Sequence, residues 1–151
     1  TGTHDFHFQS RVLQFHAMPF VYALFAYPGE VMARQVRVSL RIPTSLPALA
    51  YSEAASIAVP VRVVDLSQCG AMMWAPGPLG AVGKGVRLSL ELDVDGRTES
   101  LALDATICHS GKGDGGEGHR IGIGFRGIGR DQRLLLKLYT QEGTERLFAA
   151  A

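Results

Sequence analysis

The sequence predicts an all-β protein: a six-stranded antiparallel β-barrel with a C-terminal helix, preceded by two N-terminal strands from a partial β domain. Three observations predict it. Short segments rich in branched and aromatic residues recur along the chain. Proline and glycine punctuate many of the intervals between them. Apolar residues take up helical spacing only near the end, at Leu134, Leu135, Leu138 and Tyr139.

Residues 4–16 read as one strand, with Phe6 and Phe8 on one face and Leu13 and Phe15 on the other, which places a bulge near Ser10. Residues 20–27 form a nearly continuous apolar run closed by Pro28 and Gly29, the pattern of a strand covered on both faces. Two strands make no core of their own. They call for the following domain, a second copy of the chain (a homodimer) or upstream residues, and a chain starting at Thr1 without methionine reads as a processed or trimmed piece. Residues 30–36 read as a connector of mixed polarity. Barrel strands are expected at 36–42, 56–66, 71–74, 86–92, 99–109 and 120–125, with Pro43, Pro47 and Pro60 as punctuation. Asp95-Gly96 between two alternating runs is the clearest hairpin signal. A helix over 131–141 caps the barrel, with Gly143 as its stop. The chain thus divides into an N-terminal β segment and connector (1–33), a barrel domain (34–142) and a C-terminal tail (143–151).

With 151 residues, 46% hydrophobic and 19% charged, the chain can bury one ordinary core. Fifteen basic against fourteen acidic side chains leave a net charge of +1, which offers no field to attract DNA or an anionic membrane. An anion must therefore be bound locally. Cys69 and Cys108 lack metal-ligand spacing to the histidines and read as buried thiols in a reducing cytoplasm. The longest apolar run, 18–28, is far short of the ~20 residues of a membrane span, and a cytoplasmic location follows. The glycine-rich stretch 111–118 lacks the Gly-Lys-Ser/Thr ending of a phosphate loop and reads as a hairpin loop. His109 and His119 flank it and could meet across the hairpin, too few for a metal. Met72, Met73 and Trp74 read as core, with the indole an alternative lining for a base pocket. Asp93 and Asp95 read as turn formers. No nucleophile, base and orienting group fall together, so an enzyme is not expected, nor a cofactor.

One constellation stands out. Arg37 and Arg41 are four apart, on one face if the segment is extended, and guanidiniums grip phosphate oxygens or the Hoogsteen edge of guanine in bidentate fashion. Asp65 and Ser67 end a later strand, two apart, and Gly70 follows where the strand turns, free to take positive φ or let a flat ring approach. A carboxylate accepts from guanine N1 and N2 and repels bare phosphate. The ligand suited to both halves is a guanine nucleotide.

These residues, with Ile121-Gly-Ile-Gly124-Phe125 on a later strand and a closing helix, resemble the PilZ domain over roughly residues 34–142. The resemblance implies a PilZ-type barrel binding cyclic di-GMP. The arginine pair would hold phosphates and guanines, and Asp65, Ser67 and Gly70 would surround one guanine. Residues 1–33 look like the tail of the N-terminal domain of YcgR-type flagellar-brake proteins. Val36, just before the first motif arginine, is compatible with a single ligand molecule rather than an intercalated pair, and Arg34 lies close enough to assist. The implied function is a receptor that switches the arrangement of N-terminal segment and barrel, acting in motility control on a protein target such as the flagellar motor or polysaccharide synthesis machinery. The alternative is a ligand-free interaction module in which Arg41 pairs with Asp65.

Overall fold

The computed structural model describes residues 4–35, 39–52, 58–113 and 118–149. The chain forms two compact units, 1–38 and 39–151.

The N-terminal unit holds four strands: β1 (His4–Phe8), β2 (Val12–His16), β3 (Tyr22–Phe25) and β4 (Val31–Gln35). They form two two-stranded antiparallel sheets, β1 with β4 and β2 with β3. The single strand expected over 4–16 is therefore two. The break falls at Ser10, whose hydroxyl donates to the Ala26 carbonyl while the Ala26 amide donates to the Arg11 carbonyl at 2.8 Å. These bonds fasten the open end of the β2–β3 hairpin, and β1 leaves to pair elsewhere. The connector expected over 30–36 is largely strand β4, which sets Arg34 opposite Asp5. Phe20, Val21, Phe25 and Tyr27 are exposed rather than covered on both faces as their apolar run suggested.

The second unit is the six-stranded antiparallel barrel that the sequence predicts, closed in the order β10-β7-β6-β5-β8-β9. Its strands are β5 (Arg41–Ser52), β6 (Ala58–Ser67), β7 (Gly70–Ala75), β8 (Gly85–Val94), β9 (Arg97–Lys112) and β10 (His119–Phe125). Alternation places Val63, Met73, Leu88, Leu103 and Ile121 inside, all essentially inaccessible. Asp95 and Gly96 take φ of 50° and 71°, both positive as a two-residue type I′ turn requires. Val94 then faces Arg97 across the β8–β9 hairpin.

The first barrel strand lies later than expected. Of the range 36–42, residues 36–38 lie outside the described residues, and β5 runs from Arg41 through both prolines read as punctuation. Proline survives in a strand where its missing N–H faces no partner. Strand β5 pairs with β6 from Arg41 onward but with β8 only from Ala48 onward, and a bulge lies between Pro43 and Leu46. Pro43 and Pro47 sit on the stretch with one strand neighbour. Pro60 does too, because β6 meets β7 only from Arg62.

Helix α1 (Arg130–Ala149) packs on the barrel through fully buried Leu136. The Gln132 side chain accepts from the Gly129 amide at 2.8 Å, the returning half of a capping box, and donates to the Ala102 carbonyl of β9 at 2.7 Å. Gly143 does not stop the helix, so 143–149 belong to α1 rather than to a tail. A Cβ at Gly143 would overlap Cδ1 of Ile42, itself 2% exposed, and the glycine is there for close packing. Cys69 and Cys108 are both free and exposed, not buried as expected. Cys69 falls on the β6–β7 turn and Cys108 on a solvent-facing position of β9. Met73 is core, whereas Met72 and Trp74 point outward, half-buried. His109 lies opposite Gly122 and His119 opposite Lys112, so the two histidines do not meet. No described helix is long and apolar enough to cross a membrane.

On the outer face Arg87 donates to Asp104 through Nε at 2.7 Å and Nη2 at 3.4 Å. That hydrogen bonding, with the guanidinium charge behind it, holds the Asp104 carboxyl below its ordinary range. A depressed folded value gives stability that is complete above the unfolded carboxyl's value and lost as pH falls through the folded one. Asp104→Asn is expected to be less stable than the native protein at pH 7 and indistinguishable from it at pH 2. Urea melts at the two pH values check this.

Candidate functional site

Arg41 opens β5, Asp65 and Ser67 close β6, and Gly70 opens β7, so one end of the barrel gathers them. Arg41 lies directly opposite Ser67, and Asp65 opposite Pro43 on one side and Met72 on the other. The Arg41 Nη1 to Asp65 Oδ1 distance is 3.6 Å, with a third and a quarter of the two side chains exposed. This is an ion pair without a hydrogen bond. A half-exposed contact of that length is worth about 0 to 1 kcal/mol. Asp65 Oδ1 is otherwise buried and has no hydrogen-bond partner among the described residues. The arginine neutralises the carboxylate's charge and leaves this acceptor unfilled, an arrangement that costs about 1 to 3 kcal/mol in a closed site.

Ser67 and Gly70 have duties within the turn. The Ser67 hydroxyl donates to the Gly70 carbonyl at 3.0 Å and accepts from the Cys69 amide at 3.3 Å, with the residue only 3% exposed. The Cys69 carbonyl accepts from the Phe125 amide at 2.9 Å. Gly70 faces Gly124 of β10, and a Cβ on Gly70 would overlap the Ile123 carbonyl oxygen. The absent side chain therefore lets two barrel strands meet. Sequence reasoning assigned this glycine to a turn or a ligand because Ile123 is remote in the chain.

Of the other predicted residues, Val36 and Arg37 lie outside the described residues. Arg34 lies on β4 of the N-terminal unit. An open groove of about 720 Å³ is lined by Arg62, Trp74, Pro47, Leu49 and Pro60 among others, and by none of Arg41, Asp65, Ser67 and Gly70. Arg62 pairs with Trp74 on the stretch of ladder next to Asp65 and Met72, and its Nη1 donates to Ser45 at 2.9 Å. Neither Arg62 nor Met72 was among the predicted site residues. Their outward position at the strand's period of two was the available signal. Among the described residues no three His, Cys, Asp or Glu side chains converge on a metal position.

The family model described as "PilZ domain" matches residues 34–142. Among solved structures, the Bacillus subtilis inhibitor of motility (MotI/DgrA) aligns over 95% of this chain and 68% of its own, with a TM-score of 0.68 and 18% identity. The PilZ domain of YcgR from Escherichia coli, with c-di-GMP, aligns over 77% of this chain and 98% of its own, with a TM-score of 0.58 and 19% identity. At such identities the likeness is one of fold, and the first alignment carries it into the N-terminal unit. Comparison with curated protein sequences gives no match.

Since the added methyl at Gly70 would meet backbone rather than a movable side chain, Gly70→Ala is expected to lose about 2 kcal/mol or more of stability with no ligand present. Urea denaturation monitored by Trp74 fluorescence measures it. Stability equal to the native protein's would contradict the steric assignment.

Proposed function

The chain belongs to the PilZ domain family, and on that premise we propose that it is a non-enzymatic receptor for cyclic di-GMP. The observation that carries the proposal is the meeting of Arg41 and Asp65 on adjacent strands, with an acceptor oxygen of Asp65 left unfilled. In this reading Arg41 takes a ligand phosphate or the Hoogsteen edge of a guanine, and Asp65 Oδ1 accepts from N1–H or N2–H of the guanine. Ser67 and Gly70 hold the turn and lend backbone to the pocket. Arg37 is the second guanidinium, with Arg34 and Val36 at its margin. The ligand's grip on segment 34–41 switches the arrangement of the N-terminal unit and the barrel, and motility control is the process this serves. The YcgR domain bears c-di-GMP and MotI/DgrA is an inhibitor of motility, which supports both parts of the reading.

A ligand-free interaction module is the second reading, favoured by the same 3.6 Å contact, which such a module would keep as an internal ion pair. The two readings diverge in solution. A receptor is stabilised by ligand in proportion to RT ln(1 + [L]/Kd), and the module is not.

Titration calorimetry with cyclic di-GMP is expected to give saturable binding to the native chain. Charge-assisted hydrogen bonds are worth about 1.5 to 3 kcal/mol each, so Arg41→Ala and Arg37→Ala should each weaken it by about tenfold or more. Asp65→Asn, which keeps the size and loses the acceptor charge, should weaken it as well. Binding unchanged in all three variants would sink the assigned site, and no heat or thermal shift in the native chain would favour the module.

A further inference from the structure

We propose that helix α1 sets the position of the Arg41 guanidinium, with Gly143 and Tyr139 as positioning residues for ligand binding; this rests on the cyclic di-GMP reading of the site. The argument begins with the strand that carries Arg41. Strand β5 has β6 on one side from Arg41 to Tyr51, interrupted only by a bulge, but β8 joins the other side only at Ala48. Residues 41–47 are therefore held by strand pairing on one side alone. The bulge between Pro43 and Leu46 further uncouples them from the regular part of the ladder.

Helix α1 supplies support that a strand does not. Gly143 lets the helix backbone come down on Ile42, so close that a Cβ would overlap Cδ1 and stand 3.5 Å from both Cβ and Cγ1 of that side chain. One turn earlier on the helix, the Tyr139 hydroxyl shares a 2.9 Å hydrogen bond with Oγ1 of Thr44. Ile42 follows Arg41 directly, and alternation that sends Ile42 inward to the helix sends Arg41 outward to Asp65. The inward side chain is 2% exposed, so a shift of α1 at Gly143 must move the β5 backbone under Arg41. A third tie, the Glu142 carboxylate accepting from the Asp95 amide at 3.2 Å, anchors the same turn of the helix to the β8–β9 hairpin. By linkage, a ligand that fixes Arg41 also tightens the seat of α1, and anything that lifts α1 weakens the ligand by the same factor.

Three variants test this in the full chain, by calorimetric titration with cyclic di-GMP and by hydrogen exchange of the Ile42 and Thr44 amides without ligand. Gly143→Ala, though alanine is the better helix former, is expected to weaken binding about threefold to tenfold and to speed exchange, because a guanidinium moved off its acceptor loses part of a charge-assisted bond. Tyr139→Phe, which removes only the hydroxyl, should do the same to a similar degree. The double variant Ile42→Val with Gly143→Ala removes the overlapping Cδ1 and should return both readouts to near the native values. Native affinity in both single variants, or a loss that the double variant fails to recover, would overturn the proposal. If the native chain binds no cyclic di-GMP, the receptor reading fails, and the exchange measurement decides this one: native protection of Ile42 and Thr44 in both single variants overturns it.

Discussion

Strand β5 reaches past the end of its pairing with β8, and much of the site follows from that overhang. A fully paired strand in a closed barrel would exclude proline and would hold the backbone of Arg41 by its own ladder. The stretch paired on one side only admits Pro43 and Pro47, tolerates a bulge between Pro43 and Leu46, and leaves a flank of Ile42 and Thr44 for a helix to occupy. The C-terminal helix is in this sense a substitute for a missing strand neighbour. Its small packing residue Gly143 and its hydroxyl at Tyr139 are what that substitution requires.

The opposite wall of the site is rigid for different reasons. The β6–β7 turn is closed by the Ser67 hydroxyl, tied to β10 through the Phe125 amide, and pressed against the Ile123 carbonyl at Gly70. None of these contacts involves a ligand. The carboxylate of Asp65 thus stands beside a turn that the chain's own contacts hold in place. The arginine side depends on a half-paired strand and a helix.

How much of this was legible in the sequence depends on how local the cause is. Asp95 and Gly96 announce a two-residue turn that their own backbone angles satisfy. The alternation of β8 and the helical spacing of Leu134, Leu135, Leu138 and Tyr139 are likewise carried by neighbours in the chain, and the barrel with its closing helix follows from them. The pairing of Arg41 with Asp65 was legible only as part of the ligand-free alternative, because the main reading turned both side chains to a ligand. The errors are of the other kind. Pro43 and Pro47 read as breaks because the absence of β8 beside them cannot be seen from their own surroundings. The split at Ser10 depends on Ala26, and the exposure of Cys69 depends on which way a turn faces.

Two glycines carry this distinction furthest. Gly70 and Gly143 both look like turn or stop signals, and both are instead demands for space made by distant residues, Ile123 and Ile42. The fold thus accounts for Gly70 completely, and also for Ser67, whose hydroxyl closes the turn. Either residue would be kept by a barrel that bound nothing. Asp65 is different. Its buried Oδ1 accepts no hydrogen bond among the described residues, and the arginine beside it stands at ion-pair distance only. The fold of the described residues gives that acceptor a neighbouring guanidinium and no hydrogen bond. Of Asp65, Ser67 and Gly70, Asp65 is the one whose side chain the architecture of the described residues does not account for.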